Sequence, residues 1–119
     1  MPKVFVPNKG SHDYVDAKRF GELVYVTSGY QNKYSVGSMI RCWKYALVDS
    51  TPEDYILQTS LSILNAVGIA LFAMKHAGHC NILIWKKDRY IERRLILTDD
   101  IVIGEYAQEV IADGHNKQE

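Results

Sequence analysis

Between Asp54 and Lys75 the chain reads DYILQTSLSILNAVGIALFAMK, with no charged residue between those two ends. Tyr55 to Gln58 has strand character, Thr59-Ser60 turns, and Leu61 to Met74 continues as a helix that is apolar on almost every side. A helix of that kind is covered all round by neighbours, which the other segments supply. About 20 uncharged residues is also the length of a membrane span. However, Gln58, Thr59, Ser60, Ser62 and Asn65 crowd the first half and leave too short an apolar run. A core helix is expected, with no membrane contact.

The flanking segments alternate strand and helix patterns. Lys3 to Val6 reads as a strand ended by the loop Pro7-Asn8-Lys9-Gly10-Ser11. Ser11, His12 or Asp13 then caps a short helix with Tyr14, Ala17 and Phe20 on one face, and Gly21 supplies a left-handed stop. Glu22 to Thr27 is a β-branched and aromatic strand, followed by the polar loop 28–34. From Ser35, Val36, Met39, Ile40, Trp43 and Leu47 recur at helical spacing against Ser38, Arg41 and Lys44, so an amphipathic helix runs to about Leu47. Asp49 to Glu53 breaks it, and HAGH at 76–79 ends the central helix with Gly78 as its left-handed residue. Asn81–Trp85 and Tyr90–Leu97 form a hairpin about the charged turn Lys86–Arg89. Glu92, Arg93 and Arg94 mark the second strand as an edge. Residues 101–112 form a short helix or strand, and 113–119 fray.

This order predicts an α/β fold: one compact domain over residues 1–112, with a flexible tail at 113–119. Its Rossmann-like sheet is mainly parallel, carries helices on both faces and ends in an antiparallel β-hairpin. At 119 residues the chain can bury a core without staples. Formal net charge is zero, so no overall field draws it to nucleic acid or an anionic membrane. Cys42 and Cys80 lack the close spacing of a metal knuckle or redox pair and read as buried reduced thiols. The opening MPKVFVPNKG has no apolar run of signal-peptide length, so a cytoplasmic location is expected.

In an open parallel sheet the ligand crevice lies at the carboxyl ends of the strands, where helix N-termini present unpaired N–H groups. The βα turns that reach that edge contain Asn8, Lys9, Ser11 and His12, then Ser28, Tyr30, Lys33, Tyr34 and Ser35, then Thr59 and Ser60. Lys9 and Lys33 would meet a negative charge, Tyr30 or Tyr34 would stack on a ring, and N–H groups at Ser11, Ser35 and Ser60 would cradle an anion. The same residue types are also what caps and turns require. Asn65, one helical turn from Ser62, needs partners from either the neighbouring loop backbone or a ligand.

No GxGxxG, GxxxxGK[ST], GxSxG or HExxH occurs, so no cofactor is expected. Asp99-Asp100 reads as a turn and His76/His79 as a helix terminus, so no metal site is expected. His12 is the candidate acid or base, with Asp13 a cap rather than its partner. Lys86, Lys87, Arg89, Arg93 and Arg94, with Trp85 and Tyr90 interleaved, could grip nucleic acid, but Asp88 and Glu92 dilute the charge and a solvated edge is the competing reading.

VPNKGSHDYVDAKRFGELVYVT (6–27), DYILQTSLSILNAVGIALFA and RYIERRLIL together resemble small proteins encoded by tailed phages. The resemblance implies a phage or prophage origin, hence the host cytoplasm, and transfers no functional residue. The sequence thus points to a binding protein rather than an enzyme, holding a small anionic ligand, such as a nucleotide, at the βα-loop edge. The alternatives are a module that self-associates into a homo-oligomer or docks a partner, with Trp43, Tyr45 and Tyr90 as contacts, and a small hydrolase or transferase using His12.

Overall fold

A computed structural model describes residues 1–97; the elements expected after Leu97 and the boundary at 112 lie outside the described residues. β1 (Lys3–Lys9), β2 (Glu22–Ser28), β3 (Tyr55–Leu57), β4 (His79–Lys86) and β5 (Arg89–Ile96) form one sheet of order β2-β1-β3-β4-β5. The first three neighbouring pairs are parallel, and β4–β5 is an antiparallel hairpin closed by Lys87-Asp88. The sheet is therefore mixed. Its order also differs from the 3-2-1-4-5 arrangement of dinucleotide-binding folds.

The expectation of helices on both faces needs correction. From β1 the chain steps one way to reach β2, then crosses back over β1 to β3 and continues to β4. Right-handed crossovers then assign the first connection to one face and the next two to the other. Accordingly α1 (Val36–Ala46) and α2 (Ser62–Lys75) share one face, packed with Phe5, Ile56, Cys80 and Ile82. The opposite face, Val4, Val6, Leu57 and Leu83, meets only a 3-10 helix, Val15–Arg19, through Ala17 and the flanking Tyr14 and Phe20. The link from Lys9 to Glu22 is too short for more.

That short link changes other local expectations. Tyr14, rather than Ser11 or His12, precedes the 3-10 helix, with φ 53°. Gly21 is not a left-handed stop; a Cβ there would run into the Pro2 carbonyl group, so the residue is required by close approach. β1 does not end at Val6 either. It continues through Pro7 because Asn8 and Lys9 pair with Thr27 and Ser28 of β2, while its ladder to β3 stops at Phe5. Proline is tolerated where pairing on one side has ended, and the Thr27 hydroxyl donates to the Pro7 carbonyl at 2.7 Å.

α2 is buried on one face rather than all round. Leu64, Asn65, Gly68, Phe72 and Ala73 are inside, whereas Ser62, Ile63, Ala66 and Ala70 are exposed and Met74 is 80% exposed. The sheet lies beneath it and α1 beside it, but no described layer covers it. Contact with α1 depends on Gly68: the fully buried Trp43 ring occupies the space where a Cβ at 68 would project, and its Nε1–H donates to the Leu64 carbonyl at 3.0 Å. At the other end of α2 the Lys75 ammonium donates to the Leu47 and Val48 carbonyls just beyond α1, where a helix C-terminus favours positive charge. Ala77 and Gly78 both turn with positive φ, and the Gly78 N–H reaches the Ala73 carbonyl at 2.7 Å. Trp43 and Tyr90, expected as association surface, are instead core residues; Tyr45 is exposed.

Two predictions follow from this packing. Gly68→Ala lowers the unfolding free energy by about 1–3 kcal/mol through overpacking, even though alanine raises helix propensity by about 1 kcal/mol. Combined with Trp43→Leu it costs less than the sum of the single changes in denaturant unfolding; strict additivity would refute the contact. His76 sits against the Phe72 ring with Nε2 2.8 Å from Ser50 Oγ. Burial, and then the Lys75 charge, lower its pKa from 6.5. Because the fold disfavours the charged imidazole, stability is full above pH 6.5 and falls as pH drops from there toward the lowered folded pKa. His76→Asn removes that part of the pH slope.

Candidate functional site

Parallel pairing of β2, β1, β3 and β4 brings their carboxyl ends to one rim, so the segments after Lys9, Ser28, Leu57 and Lys86 all emerge there. Between β1 and β3 the connections diverge to opposite faces, which leaves a crevice at that point. A cavity of about 840 Å³ occupies it. Its walls come from the turn after β1 and the start of the 3-10 helix (His12 to Asp16), the segment after β3 (Gln58 to Ser60), and the hairpin (Ile84, Trp85, Tyr90).

The hairpin wall is held by a carboxylate clamp. Asp16 Oδ2 accepts the Tyr90 backbone N–H at 2.6 Å, and Oδ1 accepts from Arg19 Nε at 3.3 Å. The Arg19 guanidinium in turn donates to the Tyr90 carbonyl. Both backbone groups of Tyr90, on the edge strand, are thereby tied to the 3-10 helix. The Tyr90 ring is buried and meets Trp85 edge-on at 5.0 Å, while Trp85 is 51% exposed toward the opening. Burial, then Tyr14 and Asp16, push the Tyr90 phenol up to about 12, so it remains neutral. Burial also raises Tyr14, whose hydroxyl donates to the Asn8 carbonyl.

The Thr59-Ser60 wall is braced from behind by α2. Asn65 Oδ1 accepts from the Thr59 N–H at 3.2 Å and the Thr59 hydroxyl at 3.0 Å, and Nδ2 donates to the Thr59 carbonyl at 2.8 Å. Thr59 Oγ1 then accepts the Leu61 N–H at 3.2 Å. Of the two partners considered for Asn65, the structure supplies the loop. The amide braces the turn that presents Thr59 and Ser60.

Among the expected binding residues, His12, Thr59 and Ser60 line the cavity. Asn8, Lys9, Ser11, Ser28, Tyr30, Lys33, Tyr34, Ser35 and Asn65 do not line it. β2 is an outer strand beyond β1, so the 28–35 loop stands away from the β1–β3 crevice even though it shares the rim. Asn8 Nδ2 of β1 donates to the Gly29 carbonyl of that loop, and within the loop Gln31 donates to the Ser28 carbonyl and Asn32 accepts the Tyr34 N–H. The Lys33 ammonium lies over Tyr34 and that of Lys9 over Tyr25. Ser35 makes no side-chain cap bond.

His12 is exposed, its ring 5.8 Å from that of Tyr14, and Asp13 accepts the Val15 N–H instead of orienting it. The strand register sets Arg94 apart from the hairpin's other basic residues. Lys86 and Arg89 pair beside the turn on the same face as Arg93, whereas Arg94 lies on the other and donates to Asn81 Oδ1 at 2.9 Å. The described residues contain no His/Cys/Asp/Glu group suited to a metal ion and no helix long and apolar enough to cross a membrane.

Gln58, Asp16, Trp85 and Tyr90 are cavity residues that the chain pattern did not single out for a ligand. A signal existed for the aromatic pair: once β4 is parallel to β3, the turn after it must reach the same rim as the βα turns. The family comparison matches residues 2–97 to the Phage Pam3 gp32-like protein model, in line with the phage resemblance. No curated protein and no solved structure matches the chain.

The clamp yields a prediction. Asp16→Ala destabilises the protein by about 1.5–3 kcal/mol through loss of charge-assisted hydrogen bonds. In hydrogen exchange the Tyr90 amide accelerates more than the amides of β1 and β3; a uniform change across the sheet would refute the local role.

Proposed function

The chain belongs to the Phage Pam3 gp32-like protein family, and we propose that it is a binding protein whose switch-point cavity takes a small, planar, ring-bearing molecule. The observation that carries this reading is the aromatic wall of Trp85 and Tyr90 facing the polar turn of Gln58, Thr59 and Ser60 across one cavity. An apolar face with a few convergent polar groups is the usual composition of a small-molecule site. A nucleoside or nucleotide fits that description. Its base would lie against Trp85, with hydroxyls toward Thr59, Ser60 and His12.

The lining carries Asp13 and Asp16 and neither lysine nor arginine, which disfavours a phosphate inside the cavity. An anionic group on the ligand would instead lie at the rim, near the start of α2 and the hairpin tip with Lys86, Lys87 and Arg89. Catalysis by His12 gains little support, because the group that would orient it is engaged with Val15. The self-association reading rests on Tyr45, Val48 and Met74, which are exposed on the α-helical side, two of them beside a shallow apolar groove at the ends of α1 and α2.

Thermal-shift screening with bases, nucleosides and nucleotides tests the proposal. A ligand at roughly 100-fold excess over its dissociation constant stabilises by about 2.7 kcal/mol, and Trp85→Ala abolishes the shift while the protein stays folded. Nucleosides are expected to match or exceed their phosphates. Light scattering of the same samples separates the readings: a stable oligomer with no ligand response would favour the interaction module.

A further inference from the structure

Gln58 leaves β3 at the centre of the crevice, and its backbone N–H donates to the Leu83 carbonyl of β4 at 2.9 Å. The sheet therefore sets where its side chain begins, and that side chain lines the cavity. Its Nε2 is buried and has no hydrogen-bond partner among the described residues, the one side-chain atom so situated there. Its neighbours are satisfied: Thr59 bonds to Asn65 through N–H, hydroxyl and carbonyl, and Asp16 takes up Tyr90 and Arg19. An unpaired buried amide opposes folding, and an apolar side chain of the same length would avoid that penalty.

We propose that Gln58 determines specificity in this cavity by rotating its amide so that Nε2, closed off from the cavity in this conformation, donates to a hydrogen-bond acceptor on the ring of the bound molecule. The inference rests on the small-molecule reading above and narrows it. The ligand class is a planar heterocycle with a ring carbonyl or ring nitrogen, neutral or cationic at the ring because Asp13 and Asp16 share the lining. The Trp85 face supplies affinity for any flat ring, since stacking tolerates many ring types. The amide supplies the choice among rings, because an analogue lacking the acceptor leaves the buried donor unpaired.

Gln58→Met in the full chain tests this, with uridine and guanosine as acceptor-bearing probes and indole as a flat ring without a comparable acceptor. Wild type binds uridine or guanosine more tightly than indole. In Gln58→Met the melting temperature stays level or rises, affinity for the nucleosides falls by about tenfold or more, and indole binding is unchanged. A fall in melting temperature with nucleoside affinity intact would make Gln58 a structural residue and overturn the assignment. Equal nucleoside affinity in variant and wild type would also overturn it while leaving the cavity reading standing. If neither the nucleosides nor indole bind wild type, the cavity reading fails and the assignment fails with it.

Discussion

The Trp43 ring packed into the gap at Gly68 governs the arrangement of everything on the helical face. Its benzo edge takes the place of the missing Cβ, and its N–H satisfies the Leu64 carbonyl inside the core. Apolar contact and a filled buried acceptor act together there, which suits an indole better than a phenyl or aliphatic group. The consequence reaches the rim. Leu64 adjoins Asn65, so the contact that draws α1 onto α2 also sets the depth of the amide that braces Thr59. Lys75, two turns beyond Gly68, fastens the opposite ends of the same helices.

The two rims of the sheet are treated in opposite ways. At the amino-terminal rim of β3 a buried carboxylate, Asp54, accepts the Lys3 N–H at 2.8 Å and the Thr51 N–H at 2.9 Å. Asn81 donates to the Pro52 and Asp54 carbonyls, and Arg94 closes the network on Asn81. This stitches β1, β3, β4 and β5 together. At the carboxyl rim the chain departs to both faces from the middle of the sheet, and the gap persists as a cavity. Thr59 and Asp16 on its walls are held by hydrogen bonds, which keeps its shape, and Gln58 Nε2 is the buried side-chain nitrogen left without a partner among the described residues.

Charge is divided along the same lines. Of the carboxyl-rim lysines, Lys9 lies over the Tyr25 ring and Lys33 over the Tyr34 ring rather than converging on the crevice. Of the β5 arginines, Arg89 and Arg93 share a face and Arg94 takes the other, because successive side chains of a strand alternate. Among the described residues, the basic side chains that remain together are those at the hairpin tip, Lys86, Lys87 and Arg89, with Arg93 on the face of the Lys86–Arg89 pair. The cavity is bounded by aromatic and hydroxyl groups with two carboxylates. Cys80, buried under the helices with its thiol pushed up to about 12, has no part in this chemistry.

Much of the architecture was legible in local pattern. Helical spacing from Val36 to Leu47, β-branched runs at 22–27 and the charged turn before Tyr90 are short-range signals, and each produced its element within a residue or two. The edge position of β5 followed from its charges, because a central strand cannot solvate them. Residue pattern alone also identified the rim on which the βα turns gather. Tertiary structure decided the rest. The fate of β1 beyond Pro7 depended on a partner strand, and the one-sided burial of α2 depended on how many layers stood above it. Which turns line the crevice depended on strand order: β2 lies outside β1, so the loop richest in ligand-like residues faces away, while the hairpin contributes Trp85 and Tyr90. Strand order is a property of long-range pairing, which composition and periodicity along the chain do not encode.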